Sequence, residues 1–385
     1  MTKLPLNGSE RRPMPGARPT AKADPTERLE VTMLLRHSNA QTLTERVGRL
    51  ARGAIPDNHM SHDEFTRQFA TSDADMTAVR NFAAAHGLAV VQESPARCTM
   101  VLSGTVAQVN AAFDVDLQRY QHPNGSYRGR VGSINLPQEL HPIVKAVLGL
   151  DNRPAAKPRF RTIRPNAGGG GNKSFTPLQI AQLYDFPAGA GQGECVGIIE
   201  LGGGEQPADL TTYFTGLGIG AGPNVTVVSV DHGLNQPTGD PNSADGEVML
   251  DIEVVGAIAP QANIVVYFAP NTEAGFLDAV TTAVHDTTNK PSVISISWGG
   301  PEPTFTQQTL TGFDTAFQAA ALLGITICVA SGDNGSSDGV ADGSDNVDFP
   351  ASSPHALACG GTSLAASGKA ITSETVWNDA PQSTG

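Results

Sequence analysis

The spacing of apolar positions along this chain changes near residue 174. Before it, short alternating runs are mixed with helical spacings. Leu29 to Leu35 reads as a strand, as do Leu88 to Gln92 and Arg97 to Ser103. Ser61 ahead of His62-Asp63-Glu64-Phe65 predicts a capped helix start, with Glu64 three residues on. A second helix is predicted from Asp75 to His86, closed by Gly87. A third covers Thr105 to Phe113 and places Val106, Val109 and Phe113 on one side. Leu117 to Gln121, the Pro123-Asn124-Gly125 turn and Tyr127 to Val131 predict a hairpin. Helices against an antiparallel sheet give a small α+β domain over residues 28–151.

Beyond residue 174, strands alternate with helices. Strands are predicted at Cys195–Leu201, Val225–Val230, Asn263–Phe268, Ser292–Ser297 and Ile325–Ala330. Helices are predicted at Pro207–Leu217, Asp245–Ile258, Ala274–His285 and Thr306–Leu323. That order implies an α/β domain over 174–385 with a doubly wound parallel sheet, continued by Val347–Pro350 and Ala356–Gly361. Residues 1–27, rich in Pro, Arg, Gly and Lys, read as a disordered tail. Residues 152–173 read as a linker open to proteolysis. They carry Pro154, Pro158, Pro165, five basic residues before Pro165 and the Gly168–Gly171 run.

Composition sharpens this division. The length of 385 residues allows two or three domains. Residues 1–173 hold 23 Lys and Arg against 15 Asp and Glu, a balance of +8. Residues 174–385 hold 2 against 23, a balance of −21. Parts of opposite sign attract, and the attraction is expected to fade as acid protonates carboxylates. An acidic half almost free of Lys and Arg argues against a nucleic-acid partner. No apolar run is long enough to predict a membrane span, and no standard signal peptide is visible. Cys98, Cys195, Cys328 and Cys359 have no metal-binding spacing and read as buried free thiols in strand-like runs.

The candidate chemistry centres on Asp245 to Ala257. Glu247 and Asp251 are four residues apart, so both project from one helix face. Val248, Leu250, Ile252, Val254 and Val255 leave little solvated face, which predicts a buried pair. Buried carboxylates raise one another's pKa and suit acid–base work; a polar stripe on a half-exposed helix is the plainer reading. Gly202-Gly203-Gly204 follows a strand, but Pro207 stands where a dinucleotide fingerprint needs glycine. Ser295 to Gly300 ends a strand whose glycines let a peptide backbone lie close. Asp333, in Ser331-Gly332-Asp333, falls just past a strand's carboxyl end. Asp338, Asp342, Asp345 and Asp348 do not match a calcium-loop spacing. Gly361-Thr362-Ser363 continues a strand and reads as structural. No histidine of the acidic half has a motif around it, so a Ser-His-Asp relay lacks a base.

Together these segments resemble the sedolisin family of serine-carboxyl peptidases, in a kumamolisin-like precursor form. The likeness covers about residues 29–385. It rests on Val147 to Asp151, Ile199 to Gly204, Asp245 to Asp251, Ser297 to Gly300, Ser331 to Asp333 and Asp348 to Ala351. It implies a subtilisin-like sheet preceded by a ferredoxin-like prodomain that aids folding and inhibits, with processing in 152–173 at low pH. Glu247 is implied as general base and acid, Asp251 as its support, and Asp333 as a neutral donor in the oxyanion hole. Trp298, Gly299 and Gly300 would border the substrate cleft, and Asp348 would face a substrate side chain. A carboxylate base still accepts protons near about pH 4, where histidine is fully protonated.

The family's serine lies in Ser-Gly-Thr-Ser-x-x-x-Pro, and these residues do not contain that motif. The nucleophile is therefore expected beyond Gly385, as is the family's calcium site, with no cofactor in residues 1–385. The expected partners are peptide or protein substrates and the chain's own prodomain, and the expected location is extracellular. Two alternatives remain open from sequence. One is a catalytically inactive remnant that binds peptides or its prodomain. The other is a calcium-dependent adhesive module, which rests only on the Asp-rich loop.

Overall fold

The computed structural model describes residues 2–54, 59–160 and 174–378. The first unit contains β1 (Lys3–Pro5), β2 (Arg18–Lys22), β3 (Arg28–Leu35), α1 (Ala40–Ala51), α2 (His62–Phe69), α3 (Asp73–Ala85), β4 (Ala89–Ser94), β5 (Thr99–Thr105), α4 (Val106–Phe113), β6 (Gln118–His122), β7 (Gly125–Gly129), β8 (Asn135–Pro137) and β9 (Val144–Leu148). Four strands form an antiparallel sheet in the order β4-β5-β3-β9. Local chemistry sets the helix starts. Ser61 caps α2 by accepting the Glu64 N–H, and Thr105 with Gln108 forms a capping box on α4. α3 begins at Asp73 because Ser72 supplies its cap.

Period-two alternation along β3 divides its side chains between two cores. Leu29, Val31, Met33 and Leu35 join Met76, Val79, Phe82, Val106, Val109 and Phe113 inside the first unit. Leu34 belongs to the core of the second unit, with Leu277 and Phe313. The two units share this strand as a boundary.

The disordered tail expected over residues 1–27 is corrected for residues 2–27. β1 pairs with β8 and β2 with β6, while Ser9 and Arg11 are buried. Polar composition hid this order because the segment is held by backbone pairing and ions rather than by apolar spacing. Arg11 alone reaches Glu273 at 2.9 Å and the Thr304 carbonyl at 2.8 Å.

The second unit contains β10 (Lys157–Pro158), α5 (Pro177–Leu183), β11 (Cys195–Glu200), α6 (Pro207–Gly216), β12 (Asn224–Ser229), α7 (Ala244–Ile258), β13 (Asn263–Phe268), α8 (Glu273–Val284), β14 (Val293–Ile296), β15 (Trp298–Pro301), α9 (Gln307–Leu323), β16 (Thr326–Ala330), β17 (Asp348–Phe349), β18 (Leu357–Cys359), β19 (Thr362–Ser367) and β20 (Ala370–Val376). Its parallel sheet runs β12-β13-β11-β14-β16-β18. Ile199 and neighbouring side chains pack with α8 and α9, and Ile198 packs with α6 and α7 on the other side. This is the doubly wound arrangement expected. Thr362 and Ser363 open an antiparallel hairpin, β19 with β20. Two thiol expectations change. Cys98 sits in a turn at φ 54° before β5, and Cys359 is exposed on β18.

The first unit's sheet docks on α8 and α9. Gln308 exchanges two hydrogen bonds with the Val147 backbone, at 3.0 and 3.1 Å. Gly312 permits close approach, since a Cβ there would lie 2.9 Å from Leu277 and 3.3 Å from Leu34. Residues 152–160 then run along the second unit, so this part of the linker is not a free loop. Residues 161–173, including Gly168–Gly171, and residues 379–385 lie outside the described residues. Among the described residues, no helix is long and apolar enough to cross a membrane.

Candidate active site

The start of α7 is fixed by its first carboxylate. Asp245 accepts N–H bonds from Gly204 at 3.1 Å, Thr238 at 2.6 Å and Gly239 at 2.8 Å. Two loops are thereby tied to one helix end. Gly203 adopts φ 71°, and a Cβ there would meet the Ala244 backbone at 2.6 Å. The glycine run serves this close approach. Val248 and Ile252 bury one face of α7, while Leu250 and Val254 are exposed, so the helix is more solvated than its composition suggested.

One turn of α7 carries Glu247 and Asp251 to the carboxyl end of the sheet. Glu247 is 1% exposed and its Oε2 has no hydrogen-bond partner. Ser297, between β14 and β15, directs its hydroxyl at Asp251, 2.8 and 2.9 Å from the two oxygens. A third carboxyl completes the cluster. Glu200 ends β11, is fully buried, and accepts the Trp298 indole N–H at 2.8 Å. Sequence reasoning assigned no role to Glu200, although it stands at a strand's carboxyl end as Asp333 does.

Desolvation dominates the electrostatics. Burial raises Glu247, and the charges of Asp251 and then Asp333 raise it further. Burial also raises Asp251, with the Ser297 hydroxyl opposing. Glu200 is pushed well up by burial and then by Asp251, against the Trp298 hydrogen bond. Three carboxyls without a cation of their own unit hold protons far better than free ones. Such a cluster can accept a proton, pass it and return it near the end of a cleft.

The cleft is lined by β15. β10 pairs with it antiparallel, Lys157 opposite Gly299 and Pro158 opposite Trp298, and β17 pairs on its other edge. The Arg159 N–H donates to the Ser297 carbonyl at 2.8 Å. Asn271 clamps the incoming chain, accepting from the Ala155 and Ala156 N–H groups and donating to the Ala156 carbonyl. The linker thus lies in the cleft as an added strand. Gly299 is required by Asp348, whose Oδ1 would stand 1.9 Å from a Cβ there. Gly300 faces the Ala155 carbonyl. Trp298, Gly299, Gly300 and Asp348 are therefore brought together.

Arg159 enters a pocket of two buried carboxyls. Its guanidinium lies 3.2 Å from Asp338 and is in direct contact with Asp348, and all three side chains are almost wholly buried. Burial raises the Asp348 carboxyl, Arg159 draws it back, and Asp338 raises it again. Asp338 lies in the Asp-rich loop, and Arg159 in the linker read as open to proteolysis. Neither the burial nor the pairing is visible in local spacing. Asp333 follows β16, within electrostatic reach of Glu247.

Asp338 faces a guanidinium, and Asp342 is engaged by the Ser344 N–H and hydroxyl. Among the described residues, no group of three or more His, Cys, Asp or Glu is arranged around a metal position.

The chain is similar to known proteins over both units. Residues 15–153 match the family described as "Pro-kumamolisin, activation domain", and residues 226–380 match the subtilase family. The chain is 49% identical to kumamolisin of Bacillus sp. (strain MN-32), covering 98% of this chain and 70% of that protein. It is 30% identical to sedolisin of Pseudomonas sp. (strain 101), covering 84% of this chain and 57% of that protein. A solved Pseudomonas sedolisin, complexed with two molecules of pseudo-iodotyrostatin, aligns with TM-score 0.47 and 32% identity over 55% of this chain and 60% of that one.

Proposed function

This chain belongs to the sedolisin family of serine-type peptidases, and we propose that it is the zymogen portion of an acid-active, secreted endopeptidase. Residues 28–151 are the activation domain in this reading, and residues 174–385 carry part of the peptidase domain. The observation that supports it most is the linker laid in the cleft as a strand, beside a buried carboxyl cluster.

In the proposed reaction, Glu247 takes the proton of a serine hydroxyl as that oxygen attacks a peptide carbonyl. It then gives the proton to the leaving amine. Asp251, held by Ser297, orients Glu247, and Glu200 with Trp298 fixes the cluster from behind. Asp333, in its neutral form, donates a hydrogen bond to the developing oxyanion. The serine is supplied from outside these 385 residues, which contain no Ser-Gly-Thr-Ser-x-x-x-Pro. Calcium, implied for the family, takes its ligands outside residues 2–378 in this proposal. Substrates bind as a strand on β15 and place a basic side chain between Asp338 and Asp348, as Arg159 does.

The test is peptidase activity of a precursor that includes the serine motif. Pepstatin-resistant proteolysis is expected between about pH 3 and 5, where carboxylates titrate. Glu247→Gln is expected to reduce kcat/KM by roughly 10²–10⁴. Activity that survives Glu247→Ala overturns the reading. An extended precursor that binds peptides yet never cleaves them favours the inactive binding remnant.

A further inference from the structure

Asn271 stands apart from the carboxyl cluster, in the turn between β13 and α8. Two anchors fix that turn. The Ala269 N–H donates to the Glu200 carbonyl at 2.9 Å, which carries the strand pairing past β13. Thr272 caps α8 by accepting the Gly275 N–H at 3.0 Å. Gly275 lets the helix start against the Pro270 carbonyl, where a Cβ would stand 2.3 Å away. The Asn271 side chain is therefore presented by a strand end and a helix cap.

A carboxamide offers an acceptor oxygen and two N–H donors. Asn271 Oδ1 accepts the Ala155 and Ala156 N–H groups, each at 3.0 Å, and Nδ2 donates to the Ala156 carbonyl at 2.8 Å. All three bonds go to main chain, so they read no side chain. They extend upstream the pairing in which Lys157 opposes Gly299, Pro158 opposes Trp298 and the Arg159 N–H meets the Ser297 carbonyl. At the downstream end, Phe160 packs on the first turn of α7, where a Cβ on Gly246 would lie 2.7 Å from a ring carbon. Five residues, or roughly 17 Å of extended chain, thus separate the Asn271 contact from the helix that carries Glu247.

We propose that Asn271 is a substrate-binding residue that, once the linker leaves, clamps the main chain of a substrate three and four residues before the one held by Asp338 and Asp348. The cleft then selects extended polypeptide segments over short peptides. Proline is disfavoured at both clamped positions, because it has no N–H to give. Ala156 is buried, so the nearer position also takes a small side chain. The inference rests on reading the linker's path as the path of a substrate.

The test uses the full chain with residues 155–160 replaced by a glycine–serine spacer, which opens the cleft. Binding of a fluorescent, N-acetylated Ala-Ala-Lys-Pro-Arg-Phe peptide is followed by anisotropy. A second peptide differs only in N-methyl groups on both alanines. It is expected to bind roughly 5- to 150-fold more weakly, the loss of two hydrogen bonds. Asn271→Leu removes the clamp at similar volume. There the parent peptide is expected to weaken, and the two peptides to differ by less than about threefold. Asn271→Ala takes its place should Asn271→Leu fail to fold. An N-methyl penalty that is absent, or equally large without Asn271, overturns the proposal, as does a parent peptide that does not bind the open cleft. No step needs catalysis, so these failures are distinct from failure of the peptidase reading, which is judged by cleavage.

Discussion

The two units treat their carboxylates in opposite ways. In the activation domain four acids each have an arginine: Glu27 with Arg119 and Arg128, Asp75 with Arg36, Glu93 with Arg80 and Asp151 with Arg153. In the peptidase part, Lys290 and Lys369 are the only Lys or Arg in residues 174–385. Among its buried acids, Glu200, Glu247 and Asp251 have one another instead. Arg80 holds Glu93 below the usual carboxylate range, while burial and mutual repulsion push Glu247 above it. The difference teaches what each charge is for. Paired acids fix a fold that is strongest above their titration range. Clustered acids keep protons, and so suit chemistry in acid.

Linkage gives the two units opposite pH slopes. Stability from Glu93 is present above its unfolded pKa and lost as pH falls through the folded one. Stability of the Glu247 cluster is complete below the unfolded pKa and lost as pH rises through the raised folded value.

The strongest way to break this comparison is at Arg159, the activation-side cation seated among peptidase carboxyls. Arg159→Ala removes the cation from between buried Asp338 and Asp348 and is expected to cost about 3–5 kcal/mol at pH 8. Urea unfolding should show a smaller cost at pH 5, where burial favours a proton on Asp348; an equal cost at both values breaks the comparison. The next largest effect separates neighbours on β3. Met33→Ala and Leu34→Ala should each cost about 2–5 kcal/mol. The Met33 loss should appear in exchange of α3 and α4, and the Leu34 loss in α8 and α9; identical patterns contradict a strand shared by two cores. The smallest is Trp298→Phe, which leaves Glu200 Oε2 unpaired at about 1–3 kcal/mol. That loss should shrink in acid, and a pH-independent loss argues against a protonated Glu200.

Much of this was legible in the chain. Alternation at 29–35 located β3, and the strand–helix rhythm after 174 gave the sheet and the functional edge that holds Glu247, Asp251 and Asp333. A capping residue placed α2, and apolar spacing placed α4. What stayed hidden were contacts between segments distant in sequence. Arg159 meets Asp338 and Asp348 across some 180–190 residues, and Asn271 meets Ala155 and Ala156 across about 115. The N-terminal strands were missed because polar residues order themselves by pairing partners that local spacing does not name. Glu200 was readable in principle, being a buried acid at a strand's carboxyl end. The bulk charge asymmetry predicted attraction between the units but not the contacts that carry it, such as Arg11 with Glu273.

The most direct measurement is a site-resolved carboxyl ¹³C NMR titration of the full chain from pH 3 to pH 8, following Glu247 against Glu93. The predicted result is that Glu247 titrates well above the usual glutamate range of about 4.3 and Glu93 below it. Two glutamates that titrate together near the unperturbed value would contradict the division of labour between the units.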